Sequence, residues 1–92
     1  MKLSKTENKL IGKWIYENGV MRKDEFSQRI EWLISNHLKK ITIDETGWDA
    51  LYIDHDDNRL WELTYPQSEM HAGGPPSLIH ISSEEAKKKY FI

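Results

Sequence analysis

Between Asp24 and Tyr65 the spacing of apolar residues changes from a helical period to a period of two. That order limits the chain to a helix laid on an antiparallel sheet. Phe26, Ile30, Leu33 and Ile34 fall at i, i+4, i+7 and i+8. The segment from about Lys23 to Asn36 therefore reads as an amphipathic helix, with Asp24 as N-cap and Asn36-His37 as its exit. From Leu38 the pattern alternates, with Ile41 and Ile43 on one face and Lys40, Thr42 and Asp44 on the other. After a Thr46-Gly47 turn, Trp48 to Asp54 forms a second strand, with faces Leu51/Ile53 and Ala50/Tyr52. His55 to Asn58 is a polar connection, and Arg59 to Tyr65 is a third strand with Trp61, Leu63 and Tyr65 together. Connections this short join antiparallel neighbours, so the three strands form a meander. Pro66 ends it, because proline cannot donate to a ladder. The spacing predicts that Phe26, Ile30, Leu33 and Ile34 are buried against Ile41, Ile43 and one face of the meander.

The flanks add smaller elements. Ser4 and Glu7 have capping-box spacing, which predicts one or two helical turns from Ser4 to Leu10, ended by Gly12. Lys13 to Glu17 is rich in strand formers and closes at the turn dipeptide Asn18-Gly19. Ser77 to Ile81 reads as a last strand. Ser82 and Glu85 cap a terminal helix that turns Ala86 and Tyr90 to the core. The expected fold is α+β: an antiparallel sheet of four to five strands packed against one main helix, with short N- and C-terminal helices. Ninety-two residues leave room for one core, so residues 1–92 are read as a single domain. Four Trp, four Tyr and two Phe argue against disorder. With no cysteine there is no disulfide, no thiolate nucleophile and no Cys-ligated zinc. No apolar run approaches the roughly 20 residues of a membrane helix. Met1 to Lys5 lacks the apolar stretch of a signal peptide, so a cytoplasmic protein is expected.

Charge is segregated along the chain. Residues 1–40 carry nine Lys/Arg and five Asp/Glu. Residues 41–72 carry eight acids against one base, Arg59: Asp44, Glu45, Asp49, Asp54, Asp56, Asp57, Glu62 and Glu69. Phosphate binding needs a basic face, so nucleic acid is not an expected partner. An acidic face attracts a basic protein partner and speeds encounter with it.

The chemical motifs tested fail. Asp54, Asp56 and Asn58 match the first three ligand positions of a calcium loop. The required glycine is Arg59, however, and the final bidentate carboxylate is Tyr65. No metal or cofactor is expected. No two of His37, His55, His71 and His80 share the i, i+4 spacing of a zinc helix, and no Gly-x-Ser-x-Gly elbow accompanies them. Gly73-Gly74-Pro75-Pro76 lacks the Lys and Ser/Thr of a phosphate loop and reads as a shaped loop, structural or contact-forming. The run Trp61 to His71 combines aromatic and acidic groups, suiting either an interface or the core.

Taken in order, these stretches resemble the Immunity protein 27 family of bacterial polymorphic toxin systems. The resemblance rests on Leu10 to Trp14, Arg29 to Ile34, Gly47 to Tyr52, Trp61 to His71 and Gly73 to Pro76. Ala72 departs from a usual glycine, and Asp57-Asn58 from an Asp-Gly. The resemblance implies a non-enzymatic protein that binds and neutralises a cognate toxin domain and leaves the toxin's chemistry open. The acidic middle segment, which could fill a basic substrate cleft in place of phosphate, points separately to a basic nuclease. The expected partner-binding residues are Asp44, Asp49, Asp54, Asp56, Asp57, Glu62, Glu69 and His71. No catalytic, cofactor-binding or metal residue is carried over, and no membrane partner is implied. Two other readings stand beside it: a small enzyme with a Glu69/His71 site near the glycine loop, and a housekeeping protein–protein adaptor.

Overall fold

A computed structural model describes residues 2–66 and 74–91. Seven strands and two helices follow in the order β1 (Lys9–Ile11), β2 (Trp14–Glu17), β3 (Val20–Lys23), α1 (Glu25–Asn36), β4 (Lys39–Ile43), β5 (Ala50–Asp54), β6 (Arg59–Thr64), β7 (Ser77–Ile81) and α2 (Ser83–Tyr90). The chain is α+β as expected. Five strands form an antiparallel sheet in the order β1-β7-β6-β5-β4, and β2 pairs with β3 in a separate hairpin. No helix among the described residues is long and apolar enough to cross a membrane.

Strand alternation places one core on each face of the sheet. Ala50 and Tyr52 pair across to Leu63 and Trp61, and Leu63 to Leu78, which pairs with Leu10 at the edge. These residues join Ile30, Leu33 and Leu38 in the larger cluster under α1. Leu51 and Ile81 form the smaller cluster with Ala86 and Tyr90 of α2, and Leu60 and Ile79 pack against it. The two helices thus cover opposite faces, a three-layer arrangement in which each helix buries one stripe.

The helix ends behave as their sequence dictates. The Asp24 carboxylate accepts from Ser27 N–H at 2.8 Å, capping α1. Burial raises the Asp24 pKa, but the bonds from Ser27 and Lys13 outweigh it and hold the group below its usual value. At α2, Ser82 and Glu85 form the full capping box. Asn18 (φ 53°) and Gly19 (φ 75°) turn the β2–β3 hairpin through left-handed backbone. Gly12 is needed for close approach. Its N–H donates to the Pro76 carbonyl at 2.9 Å, and a Cβ there would lie 2.7 Å from that oxygen and 2.4 Å from Ser27 Oγ.

Several expectations are corrected. Ser4 to Leu10 is not a run of helical turns. Ser4 and Glu7 make a single turn, with Glu7 N–H on the Ser4 carbonyl at 3.2 Å, and Leu10 lies in β1 because the β7 edge takes its backbone bonds. Phe26 is 45% exposed, at the start of α1 beyond the reach of the sheet, and Ile34 is half-buried. Ile41 and Ile43 are exposed as well. A register shift between Lys40 and Thr42 bulges β4, and as the sheet edge this strand has no neighbour beyond it. Val20–Lys23 was not anticipated as a strand; it is exposed throughout and has no apolar alternation to announce it.

Candidate functional site

The acids of the middle segment do not form one face. β5 runs from Ala50 to Asp54, so the turns before and after it lie at opposite ends of the sheet.

At the first end, Asp44 staples its turn. Its Oδ1 accepts from Thr46 Oγ1 at 2.8 Å, Gly47 N–H at 3.0 Å and Asp49 N–H at 3.2 Å. Desolvation raises the Asp44 pKa, but these bonds outweigh it and keep the carboxylate below its ordinary range. Lys89 of α2 reaches both Asp49 Oδ2 (2.6 Å) and Glu62 Oε2 (2.7 Å), and Tyr90 Oη donates to the same Glu62 oxygen at 2.8 Å. Burial lowers the Lys89 pKa, yet the two carboxylates raise it further than burial lowers it. Burial and the Glu62 carboxylate push the Tyr90 phenol up. Two of the eight acids therefore share the one positive charge of Lys89 before any partner arrives. Glu45 is exposed beside Asp44.

This end also carries exposed apolar groups. Trp48 is 55% exposed and meets Tyr65 edge-on, with centroids 6.2 Å apart. Ile43, paired with Ala50, is exposed next to the same turn. A groove beside Tyr65 is lined by Trp14, Ile30, Ile34, Gly74, Pro76 and the Lys23–Glu31 ion pair. Gly74, Pro75 and Pro76 are buried, so this part of the glycine–proline segment is structural. Exposed Trp48 and Ile43 thus lie beside the acids of the 44–49 turn.

At the other end, Asp57 Oδ2 accepts from Arg59 Nε at 2.6 Å. Desolvation raises the Asp57 pKa, and the Arg59 bonds more than reverse it. The rest of the Arg59 guanidinium donates to the carbonyls of Glu7 (2.6 Å) and Ser4 (2.8 Å), and it lies 4.9 Å from the Trp61 ring. Trp61 is fully buried core, not an exposed anchor. Asp54 is 1% exposed. Its Oδ1 accepts from Asp56 N–H at 2.9 Å and lies 3.1 Å from His37 Nε2. The Asp56 side chain is exposed, with Oδ2 3.5 Å from the same His37 nitrogen. Of the expected partner-binding residues, the structure gathers Asp44, Asp49 and Glu62 near one end and Asp54, Asp56 and Asp57 at the other. Glu69 and His71 lie outside the described residues.

Two residues were not legible as site members. Trp48 read as the start of a strand, and only the turn geometry leaves it outside the sheet. His37 read as a helix exit, and its partners Asp54 and Asp56 lie 17 and more residues away, with no spacing rule to link them.

No curated protein and no solved structure matches the chain. Of the stretches that carried the resemblance, Leu10 to Trp14 lies outside the span matched by a family model, and those from Arg29 to Pro76 lie inside it. That model is described as Immunity protein 27 and matches residues 16–82, and on this match the chain belongs to the Immunity protein 27 family.

Proposed function

We propose that the protein binds and neutralises a cognate toxin domain, acting by occupancy rather than by turnover, and that the contact centres on the 44–49 end of the sheet. The observation that carries this reading is Trp48. A tryptophan more than half exposed, edge-on to Tyr65 and next to exposed Ile43, has the character of an interface anchor. Asp44 and Glu45 flank it and would face a basic surface on the partner. A toxin that acts on nucleic acid carries such a surface in its substrate cleft, so a basic nuclease is the favoured class. Asp49 and Glu62 contribute less field because Lys89 already offsets them. Asp56 and Asp57 sit at the far end and act on encounter alone, while buried Asp54 takes no direct part. Glu69 and His71 lie outside the described residues and stay proposed contact residues on their sequence alone.

The test uses a candidate toxin domain from a neighbouring gene, with growth rescue on co-expression and binding kinetics on the purified pair. Trp48→Ala is expected to raise the dissociation rate by about tenfold or more. Glu45→Lys is expected to slow association at low salt, with the difference shrinking as salt is added. If both variants bind and protect like the parent, the contact lies elsewhere.

A further inference from the structure

We propose that His37, Asp54 and Asp56 form a binding site for a divalent first-row metal ion of the zinc class, which staples the end of α1 to the β5–β6 turn. The inference does not depend on the toxin-binding reading.

Two carboxylates converge on a single imidazole nitrogen. His37 Nε2 lies 3.1 Å from Asp54 Oδ1 and 3.5 Å from Asp56 Oδ2, and ligand atoms of all three residues lie within 4.8 Å of one another. With metal–ligand distances of about 2.1 Å, two ligands are separated by about 3.0 Å at a right angle and about 3.4 Å at the tetrahedral angle. The two edges from His37 match those values, and the edge between the two carboxylates lies within 4.8 Å. The donor set, one imidazole and two carboxylates, suits Zn²⁺ and its neighbours in the first row, and it leaves positions open for water.

Charge points the same way. A single ring nitrogen carries at most one proton, which cannot neutralise two carboxylates. Asp54 is 1% exposed, and a buried carboxylate requires a close compensating charge. Lys2 approaches only Asp56, at 3.7 Å, with both side chains mostly in water, so it offers Asp54 little. A dication compensates both acids at once.

The ligands are also held in place. His37 stacks on Trp32, with centroids 6.3 Å apart and planes 17° from parallel, and its N–H closes α1 on the Leu33 carbonyl at 3.0 Å. The Asp56 N–H donates to the same Asp54 Oδ1 that faces His37 and so fixes that carboxylate, as outer-shell bonds do in metal sites. The ligands come from the end of α1 and from the end of β5 with its following turn. Metal binding would therefore tie helix to sheet and raise the stability of the whole fold.

The experiment is a titration of tag-free, EDTA-treated protein with Zn²⁺ by calorimetry, with melting temperature followed in parallel. The expected result is one ion per chain, a dissociation constant in the micromolar range or below, and a rise in Tm of about 5 °C or more at saturating metal. His37→Gln and Asp56→Ala should each weaken binding by about tenfold or more. His55→Ala, which alters an exposed histidine in the same turn, should bind like the parent. Asp56 is mostly exposed, so its variant stays folded and decides the matter even if His37→Gln is unstable. Absence of binding at about 1 mM Zn²⁺, or equal binding by the parent and Asp56→Ala, overturns the assignment. So does loss of binding in His55→Ala, which would place the ion on the outer turn.

Discussion

Glu7 shows how much one side chain can organise. Its carboxylate takes a two-pronged bond from Arg29, at 2.6 and 2.7 Å, and accepts from Ser4 N–H at 2.8 Å. The Arg29 bond is the largest influence on its pKa, which is lowered from 4.5 to about 2. A carboxylate whose pKa is depressed by folding adds stability above its unfolded pKa and loses it on acidification. The contribution is therefore present in full above pH 4.5 and disappears as the pH falls toward about 2. Glu7→Gln should lower stability at pH 7 by about 1–2 kcal/mol, because a pair still partly exposed is screened by water. Urea denaturation of both proteins at pH 7 and at about pH 3 is the check, and the gap between them should narrow at the acid end. A gap independent of pH would mean that the Arg29 bond does not hold the N-terminal turn. Ser4 and Glu7 were recognisable as a capping pair from their spacing. Arg29, 22 residues away, was not, because nothing local marks which guanidinium will meet that turn.

At the scale of elements, the stripe on α1 was read correctly for its central residues and wrongly for its first. Ile30 and Leu33 are fully buried, whereas Phe26 is 45% exposed. A helical stripe gives the direction of the buried face but not how far the supporting sheet extends beneath it. Here the first turn of α1 overhangs toward the β2–β3 hairpin, where Phe26 borders an open groove with Trp14 and Ile15. Leu33→Ala should therefore cost about 2–5 kcal/mol through the cavity it leaves. Phe26→Ala should cost under about 1 kcal/mol, since its ring gives up little buried area. Equal losses for the two variants in chemical denaturation would contradict this packing. α2 is the simpler case. Its capping box, its Ala86/Tyr90 stripe and its start at Ser82 follow from local chemistry, and the structure keeps all three.

For the whole molecule, the five-stranded sheet and the β2–β3 hairpin differ in how they are held. β5, β6 and β7 each have partners on both sides and a helix over each face. The hairpin has one ladder, and apart from half-buried Trp14 its residues are exposed. Local opening follows such differences in burial and pairing. In native-state hydrogen exchange, the ladder amides of β2 and β3 are expected to exchange at least about a hundredfold faster than those of β6. Comparable protection would show that the hairpin opens only with the global fold. The molecule is also longer than a sphere of its mass, with principal extents of 44 × 29 × 19 Å.

The sequence by itself determined the order of elements from α1 to α2, the facing of β5 and β6, both helix caps and the class of fold. Each of these depends on residues within a few positions of one another, where period, capping and turn chemistry act directly. Only the tertiary structure decided what the charges do. The linear count set eight acids against Arg59 alone, and alternation spread them over both faces of the sheet. In three dimensions Lys89 returns from α2 to Asp49 and Glu62, Arg59 spends its donors on Asp57 and the N-terminal carbonyls, and Asp54 is withdrawn under His37. Coulomb interactions depend on distance in space and on burial, neither of which a count along the chain contains. The same reason hid both sites proposed here: the exposure of Trp48 is set by where the sheet ends, and the approach of His37 to Asp54 and Asp56 by how α1 lies across the sheet.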